Sequence, residues 1–513
     1  MTESPALRLS GITKRFGDIV ANDGISLELG RGEVLALLGE NGAGKTTLMS
    51  ILFGHYSADA GTVEVEGREL PPGRPRAAID AGVGMVHQHF SLAANLTVLE
   101  NVMTGTEALW RPRSRVAAAR RKLMDLAERF GLHVDPDRRL GDLSVGEQQR
   151  VEILKALYNE ARILILDEPT AVLTAPEAER LYRILRGMAR EGLSLIFISH
   201  KLHEVLEAAD RIVVLRGGRS VAQRPADATT KDELAELMVG RRITRPMRAP
   251  ATPGKPVLEA RELSVARREA TGLDKVSFTV REGETLGIVG VSGNGQSTLG
   301  QVLSGLLAPS SGELHILGRR ITRPDVRALV EAGVGRIPED RNHEGVIGAL
   351  SVWENATLER IDSHRFSRLG VIDRAAARTF AQRVIEAFDV RGGGPDHRTQ
   401  LLSGGNMQKL ILGRNLMDGP RLLIAAQPTR GLDEGAIAAI HTRLLEARES
   451  GAAVLLISED LDEVINLADR VQAIVGGRLS PEIPAERADA RQLGLMMAGD
   501  WSAGAQQELQ DAP

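Results

Sequence analysis

Three short, continuously apolar segments stand out in the first half of the chain. They are VLALLG at 34–39, ILILD at 163–167 and LSLIFIS at 193–199. Apolar runs of this length without alternation are typical of parallel strands that are buried on both faces. The region between the first two runs is dominated by helical patterns. The sequence therefore predicts an α/β fold in which helices pack around a mainly parallel sheet.

The same succession of segments occurs twice along the chain. The segment LHEVLEAADRIVVLRGGR starts at Leu202, and LDEVINLADRVQAIVGGR starts 259 positions later, at Leu461. The same spacing relates LSVG at 143–146 to LSGG at 402–405, whereas GENGAG at 39–44 and GVSGNG at 290–295 are 251 positions apart. A repeat this long indicates a duplicated domain rather than a solenoid. The second copy gains eight residues between these points, which predicts a longer loop or helix there.

The boundaries of the two domains follow from the repeat and from a change in composition. Residues 242–256, RITRPMRAPATPGKP, are rich in Pro and Arg and show no periodicity, which is typical of a semi-extended linker. We predict a first domain at 1–241, this linker, a second domain at 257–501, and a polar, frayed tail at 502–513.

Composition excludes several classes of function. The net charge is −4 and the pI is about 6.3, so nothing favours nucleic acid as a partner. The chain has no cysteine, which excludes disulfides and cysteine-based metal sites. No apolar run approaches the ~20 residues that span a bilayer, and the N-terminal MTESPALRLS lacks the apolar core of a secretory signal. If the protein works at a membrane, another subunit must supply the membrane part.

A glycine-rich phosphate loop follows the first apolar run. GENGAGKTT fits the pattern G-x-x-x-x-G-K-[ST], in which glycines let backbone N–H groups point at phosphate oxygens. Lys45 adds a positive charge for the β- and γ-phosphates, Thr46 offers a hydroxyl to Mg²⁺, and a helix is predicted to start near Lys45. The predicted nucleotide-binding residues here are Gly39, Glu40, Asn41, Gly42, Ala43, Gly44, Lys45, Thr46 and Thr47.

An acidic pair ends the second apolar run. In ILILDEPT, a buried strand is expected to deliver Asp167 and Glu168 beside the phosphate loop. Asp167 is predicted to hold Mg²⁺ through its water shell, because Mg²⁺ keeps several waters and takes few carboxylates. Glu168 is then placed to polarise the attacking water. The sequence thus predicts an ATP-hydrolysing site with Mg²⁺.

GENGAGKTT, LSVGEQQR, ILILDEPT and the ISH at 198–200 occur in the order that resembles an ABC-type ATPase domain, and LSGGNMQK at 402–409 resembles the same family's signature motif. The resemblance covers nearly the whole chain. It implies two homologous P-loop ATPase domains, each with a mainly parallel sheet, an antiparallel β part and a helical subdomain. It also implies a head-to-tail pair, in which ATP lies between the phosphate loop of one domain and the signature of the other.

Further roles follow from the resemblance where residues match. Gln88, in MVHQHF, stands at the loop that touches Mg²⁺ and senses the membrane subunit. His200 stands at the switch position that contacts the γ-phosphate, and Phe16 stands where an aromatic ring stacks on adenine, although an aromatic in a strand is also an ordinary core residue. The expected catalytic residues are Glu168, His200, Gln88 and Lys45, and the expected Mg²⁺ residues are Thr46, Gln88 and Asp167.

The second half departs from the pattern at the positions that carry the chemistry. Gln296 replaces the phosphate-loop Lys, Ala426 replaces the Asp, and Gln427 replaces the Glu. Glu339 and Glu459 stand at the Gln-loop and His-switch positions. We predict that this site, with Gly290, Gly295, Gln296 and Ser297 opposed by Ser144 and Gly146, does not hydrolyse ATP.

The signatures show the complementary pattern. The first half has Val145 where a glycine belongs, and a side chain there blocks close approach to phosphate. The second half keeps Ser403, Gly404, Gly405 and Asn406, and its loop TRGLD keeps Asp433, where the first half has Thr174. Head-to-tail pairing would match the intact loop with the intact signature, and random decay would not sort the losses in this way. We therefore expect one composite site that uses both halves.

PTAVLT, PEDR and GNGQ resemble the ATP-binding subunit of bacterial importers for ribose- and galactose-type sugars, and AAQPTRGLD resembles their nucleoside-uptake branch. The resemblance implies two integral-membrane permease subunits, an extracytoplasmic solute-binding protein, one tandem chain per transporter, and a peripheral place on the cytoplasmic face of the inner membrane. The contact segments are expected at about 90–103 and 342–357, where LTVLENV and LSVWENA repeat as an amphipathic docking surface or as core. A pentose or hexose remains an alternative to a nucleoside, and a soluble tandem ATPase on ribosomes or DNA is a remote one.

Overall fold

The computed structural model describes residues 4–87, 91–106, 116–170, 173, 175–199, 201–240, 246–250, 252–267 and 270–501. These residues form two compact units that divide near residue 243. Gln88, His200, Thr174 and the predicted tail at 502–513 lie outside the described residues.

Unit 1 combines an antiparallel sheet, a mainly parallel sheet and a set of helices. Its strands are β1 (Leu7–Phe16), β2 (Ile19–Leu29), β3 (Val34–Gly39), β4 (Ala60–Val65), β5 (Arg68–Glu69), β6 (Val83–Val86), β7 (Ile163–Asp167), β8 (Ser194–Ser199), β9 (Arg211–Arg216) and β10 (Arg219–Pro225). Its helices are α1 (Lys45–Phe53), α2 (Pro75–Asp80), α3 (Val98–Met103), α4 (Val116–Arg129), α5 (Val145–Tyr158), α6 (Ala175–Arg190), α7 (Leu202–Ala208) and α8 (Lys231–Val239).

The predicted apolar runs form the centre of the larger sheet of unit 1. Its strand order is β10-β9-β3-β8-β7-β6, with only the β9–β10 pair antiparallel, and the smaller sheet has the order β2-β1-β4-β5. Alternate residues of β3 enter different cores: Leu35 and Leu37 pack on the side of the antiparallel sheet and α1, and Val34, Ala36 and Leu38 pack on the other side. Burial on both faces explains why this strand shows no alternation.

Unit 2 repeats this plan. Its strands are β11 (Pro256–Val265), β12 (Leu273–Arg281), β13 (Thr285–Val289), β14 (Ser311–Ile316), β15 (Arg319–Arg320), β16 (Val334–Ile337), β17 (Ser367–Arg368), β18 (Val371–Ile372), β19 (Leu422–Ala426), β20 (Ala453–Ser458), β21 (Arg470–Val475), β22 (Arg478–Leu479) and β23 (Ile483–Pro484). Its helices are α9 (Gln296–Leu303), α10 (Val326–Glu331), α11 (Val352–Thr357), α12 (Arg374–Ala387), α13 (Gly404–Leu416), α14 (Glu434–Glu449), α15 (Leu461–Leu467) and α16 (Ala490–Met497).

The two sheets of unit 2 match those of unit 1. The larger sheet runs β16-β19-β20-β13-β21-β22, with β23 also paired to β21, and the smaller sheet runs β12-β11-β14-β15. The duplicated α/β fold predicted from the sequence is confirmed. The described part of α4 has 14 residues, as α12 has, so where the eight extra residues lie stays a prediction. In unit 2, the residues from 358 to 373, just before α12, hold a 3₁₀ turn and the β17–β18 hairpin.

The two predicted docking segments pack differently from the expectation of an amphipathic surface. Each starts with a capping box, Thr97 with Glu100 before α3 and Ser351 with Glu354 before α11. The apolar residues of both helices are buried within their own unit: Val98, Leu99 and Val102 in the first, and Val352, Trp353 and Ala356 in the second. The hypothesis that these apolar residues form a docking surface is therefore wrong, because the hydrophobic pattern reflects packing inside the unit. Of the residues in these two helices, Glu100 is exposed, and Asn101 and Asn355 are buried.

The described part of the predicted linker contacts unit 2 through Arg248. Residues 246–250 and 252–255 lie outside helices and strands, and β11 begins at Pro256. The Arg248 side chain is largely buried, with its Nε 3.6 Å from the carboxylate of Asp469, which also accepts hydrogen bonds from Arg448. The exact domain limits stay a prediction. Among the described residues, no helix is both long enough and apolar enough to cross a bilayer.

Candidate functional site

The first phosphate loop joins β3 to α1 with a tightly curved backbone. Gly42 and Gly44 adopt φ angles of 82° and 96°, in the left-handed region that favours glycine. A Cβ at Gly44 would lie 2.3 Å from the Ala21 carbonyl oxygen, so only glycine fits. Glu40, Asn41 and Ala43 complete the loop, and α1 starts at Lys45 as predicted. The helix N-terminus, with its unpaired N–H groups, therefore opens directly after the loop.

Lys45 is held inside the loop that precedes it. Its side chain is buried, and its ammonium donates hydrogen bonds to the carbonyls of Gly39 (2.7 Å) and Glu40 (2.9 Å). Burial lowers the pKa of Lys45, while the nearby Glu168 and Asp167 carboxylates oppose that shift. The Lys45 ammonium therefore provides a fixed positive charge within the loop, which would attract an anionic phosphate.

The predicted acidic pair lies at the end of β7, next to the loop. Burial raises the pKa of Asp167 to about 6, with the Glu168 charge adding to the rise, and a hydrogen bond to the Thr46 side chain opposes it. The structure therefore places the Asp167 carboxylate beside the Thr46 side chain. A hydroxyl and a carboxylate oxygen are ligand types that Mg²⁺ accepts, so this donor set fits the predicted ion.

Glu168 has an unusual backbone conformation. Its φ is 47°, in the left-handed region, and its N–H donates to the Ile198 carbonyl of β8 (3.0 Å). A non-glycine residue in this region costs about 1–2 kcal/mol. The neighbouring strand holds this conformation, which turns the chain sharply after Asp167. Strained residues of this kind cluster at functional sites.

Phe16 is a surface residue at the end of β1. Its side chain is 43% exposed, which rules out the core interpretation that the sequence left open. Tyr56 lies edge-on to it, with the ring centroids 5.5 Å apart, and Lys14 lies 5.5 Å from the Phe16 ring centre. The exposed ring is available for stacking on a planar group. Tyr56 could not be predicted as a site residue from the sequence, because a lone Tyr after a helix belongs to no motif.

The two signature serines both cap helices. Ser144 caps α5 in a capping box with Glu147, and Ser403 caps α13, where its hydroxyl accepts hydrogen bonds from the N–H and side-chain amide of Asn406. Gly404 and Gly405 form the first turn of α13. Val145 takes the corresponding position in α5 and is 42% exposed, so an apolar side chain covers that helix start. Gly146 follows it within the same turn, and Asp433 lies directly before α14.

The second phosphate loop keeps the backbone shape of the first without its charge. Gly295 has a φ of 112° before α9, and a Cβ at Gly290 would lie 2.6 Å from the Gln296 amide nitrogen. Gln296 is buried and donates to the Val291 carbonyl (2.8 Å), the counterpart of the Lys45 bond to Glu40. The amide thus preserves one hydrogen bond within the loop but supplies no cation for phosphate.

The strand end beside this loop has lost its carboxylates in the same way. Gln427 has a φ of 48° and donates its N–H to the Ile457 carbonyl (2.7 Å), so it repeats the backbone geometry of Glu168. Its amide oxygen accepts from the Glu459 N–H, and Ala426 has no polar side chain. Burial raises the pKa of Glu459. Ser297 remains, but Ala426 supplies no carboxylate at the position that Asp167 holds in unit 1.

A buried carboxylate braces the strand ends in both units. Glu204 accepts hydrogen bonds from Thr170 (2.6 and 2.7 Å) and Ser199 (2.9 Å), which follow β7 and end β8. Glu463 accepts the equivalent bonds from Thr429 (2.7 Å) and Ser458 (2.6 Å). The sequence interpretation missed these residues, although Glu204 and Glu463 recur at one position of the repeated segments.

Comparison with known proteins agrees with this geometry. A family model described as ABC transporter matches residues 22–171 and 273–430. The glucose import ATP-binding protein of Haloferax volcanii is 44% identical over 98% of this chain and 98% of its own length. The nucleoside import ATP-binding protein of Lactococcus lactis is also 44% identical, over 97% of this chain and 99% of its own length.

A solved structure shares the fold over the full length. The crystal structure of archaeal ribosome recycling factor aABCE1 with the ribosomal stalk protein aP1 matches with a TM-score of 0.62, at 18% identity, over 98% of each chain. Identity this low supports the fold alone. The two family matches, one in each half, and the full-length relatives identify the chain as a tandem ATPase that belongs to the ABC transporter family.

Proposed function

We propose that this protein hydrolyses ATP at one site, built on the first phosphate loop, and thereby powers uptake of a small polar solute through a membrane permease. The observation that carries the proposal is the contact of Asp167 with Thr46 beside Lys45 and Glu168. The second unit has Gln296, Ala426 and Gln427 at three of these positions. Only the first loop therefore combines a phosphate cation, an Mg²⁺ carboxylate and a base.

The residues of unit 1 divide the chemistry among them. Lys45 binds the β- and γ-phosphate oxygens, and Phe16 stacks on adenine. Glu168 accepts a proton from water as the water oxygen bonds to the γ-phosphorus and the bond to the bridging β–γ oxygen breaks, which releases ADP and phosphate. Thr46, Asp167 and Gln88 would hold Mg²⁺, which would neutralise part of the phosphate charge. His200 contacts the γ-phosphate.

The second half completes the site through its signature. Ser403, Gly404, Gly405, Asn406 and Asp433 would contact the γ-phosphate side of ATP bound at Lys45. Support comes from the sorting of intact and altered motifs between the halves. The opposite pairing, of Gly290, Gly295, Gln296 and Ser297 with Ser144 and Gly146, would form a pocket that does not hydrolyse ATP. Binding of ATP then draws the halves together, and hydrolysis releases them.

The assembly follows from the relatives' roles in import. We propose two integral-membrane permease subunits, an extracytoplasmic solute-binding protein, and one tandem chain per transporter, at the cytoplasmic face of the membrane. A nucleoside is our preferred solute because AAQPTRGLD resembles the nucleoside-uptake branch. A ribose-, galactose- or glucose-type sugar is the alternative, and relatives of both kinds are 44% identical to this chain.

Uptake in cells tests this proposal. A strain lacking this chain is supplied with the wild type or with Glu168→Gln, and uptake of labelled uridine, ribose and glucose is measured. We expect the wild type to restore uptake of one of these solutes and the variant to restore none. Restoration of uridine uptake supports the nucleoside assignment, whereas restoration of sugar uptake alone overturns it. Equal uptake with and without the chain contradicts the transport role.

A further inference from the structure

An ion pair lies beside the second phosphate loop, where the first unit offers its nucleotide-binding groups. Arg430 Nη1 lies 2.7 Å from the Glu339 carboxylate, and the Ser297 hydroxyl donates to the same carboxylate (3.1 Å). Glu339 follows β16, Arg430 follows β19, and Ser297 lies in the first turn of α9. Side chains of the protein itself therefore join the loops after β16 and β19 to the start of α9.

The same chain of contacts continues to the signature helix. Arg341, two residues after Glu339, donates from its Nη1 to the Arg430 carbonyl (2.7 Å). The Arg341 guanidinium also packs against Gly404, because a Cβ built there would lie 2.7 Å from its Nη2. The contacts thus run without a break from Ser297 in the phosphate loop to the start of α13, all within unit 2.

The first half lacks the residues for such a connection. By the spacing of the repeat, the positions of Glu339, Arg341 and Arg430 are occupied there by Gln88, Phe90 and Ala171. None of these three carries a charge, so no corresponding ion pair can form. The contacts are a property of the half that has lost its catalytic groups and kept its signature.

The magnitude of the ion pair shows that its role is not general stability. The Arg430 and Glu339 side chains are 52% and 27% exposed. A pair this accessible to solvent contributes only about 0–1 kcal/mol to folding. The ion pair instead fixes the position of the loop that holds Arg430. The carbonyl of Arg430 accepts a hydrogen bond from Arg341, which packs against Gly404 at the start of α13.

We propose that Glu339, Arg430 and Arg341 form a nucleotide-independent connector that holds the second signature in its working position. In this connector, the Glu339–Arg430 pair takes the structural place that nucleotide occupies in the first half. Arg430 and Arg341 are then positioning residues for hydrolysis at Lys45, an inference that rests on the proposed composite site. With this connector, the second signature keeps its position whether or not nucleotide is bound.

Steady-state hydrolysis and ATP binding test the connector separately. We expect Arg430→Ala and Arg341→Ala to lower kcat about 3- to 30-fold, the range of coupling between linked residues. The Kd of a fluorescent ATP analogue should stay unchanged, since the first phosphate loop is untouched. The charge swap Glu339→Arg with Arg430→Glu should recover most of the lost kcat. Arg327→Ala, which removes an exposed ion pair with Glu331 in the same unit, is the matched control and should change nothing.

The outcomes separate the connector from the proposed function. If the wild type shows no ATP hydrolysis, the proposed function fails. If the wild type hydrolyses ATP and both single variants keep its kcat, the connector is wrong while the proposed function stands. A charge swap that recovers no activity also overturns the connector, because the pairing of charges would then not be what positions the loop. Thermal melting of each variant confirms that the fold is intact.

Discussion

At the scale of single residues, the two units keep the same backbone and differ in charge. Lys45 and Gln296 both donate to the carbonyl of the equivalent loop residue, but only the lysine has charge left for a phosphate. Glu168 and Gln427 share a strained left-handed φ, at a cost of about 1–2 kcal/mol each. Unit 2 therefore keeps the backbone geometry of these two positions without the charged side chains of unit 1.

The lysine pair gives a first prediction. Lys45→Gln should weaken ATP binding roughly tenfold to a hundredfold, because hydrogen bonds to charged groups contribute about 1.5–3 kcal/mol. Gln296→Lys should add no hydrolysis, since Ala426 and Gln427 remain. Titration with a fluorescent ATP analogue and a phosphate-release assay measure both effects. Unchanged affinity in Lys45→Gln would refute the role of this ammonium.

Residues with a motif could be predicted from the sequence, and residues defined by pairing could not. Lys45 follows β3, and Asp167 and Glu168 stand at the end of β7, so the motifs predict that these residues meet at one edge of the parallel sheet. Nothing in the sequence around Arg430 and Arg341 predicts which residues they contact. Their significance arises from contact with Glu339 and Gly404, and those contacts need the folded loops after β16 and β19.

At the scale of elements, the two signature helices begin alike. Ser144 and Ser403 are both N-caps, so each contributes about 1 kcal/mol to stability by the same means. The proposed composite site gives them different functions, because only Ser403 would reach the γ-phosphate of hydrolysable ATP.

This pair of caps gives a second prediction. Ser403→Ala and Ser144→Ala should lower the melting temperature by similar amounts, since both lose a cap. Ser403→Ala should also lower ATP hydrolysis more than tenfold, the loss expected when a hydrogen bond to a charged phosphate is removed, whereas Ser144→Ala should leave it nearly unchanged. Melting curves and phosphate release measure the two effects. Equal losses of activity would argue against the asymmetric assignment.

The buried braces behind the strand ends give a third prediction. Thr170→Val and Thr429→Val each remove a donor to a buried carboxylate, which costs about 1–3 kcal/mol. Thr170→Val should lower hydrolysis more than Thr429→Val does, because Thr170 lies two residues after Glu168. Denaturant unfolding and ATPase assays compare the two variants. A loss of activity in Thr429→Val alone would contradict the assignment of catalysis to unit 1.

The strands were the most predictable elements. Runs such as 163–167 are buried on both faces, so hydrophobicity alone locates them. The segments at 96–102 and 350–356 show the limit of the same signal. An apolar pattern predicts that one face of a helix is buried, but it does not predict what buries it. In α3 and α11, other residues of the same unit do so.

At the scale of the whole molecule, duplication has produced two units with one fold and two sets of side chains. The first carries the residues proposed for hydrolysis at the ends of β3 and β7, and the second carries the LSGG segment at the start of α13. The losses are complementary, so neither unit carries every motif of an active pair. We therefore expect ATP hydrolysis to require both halves of the chain but only one phosphate loop.

The rate of ATP hydrolysis in Glu168→Gln tests the single-site account most directly. Removal of a general base typically costs 10²- to 10⁴-fold, so we predict a fall of at least about a hundredfold. Gln427→Glu, which restores the base in unit 2 alone, should neither raise the wild-type rate nor rescue the variant. A Glu168→Gln protein that keeps about half of the wild-type rate would show a second hydrolytic site and contradict the account.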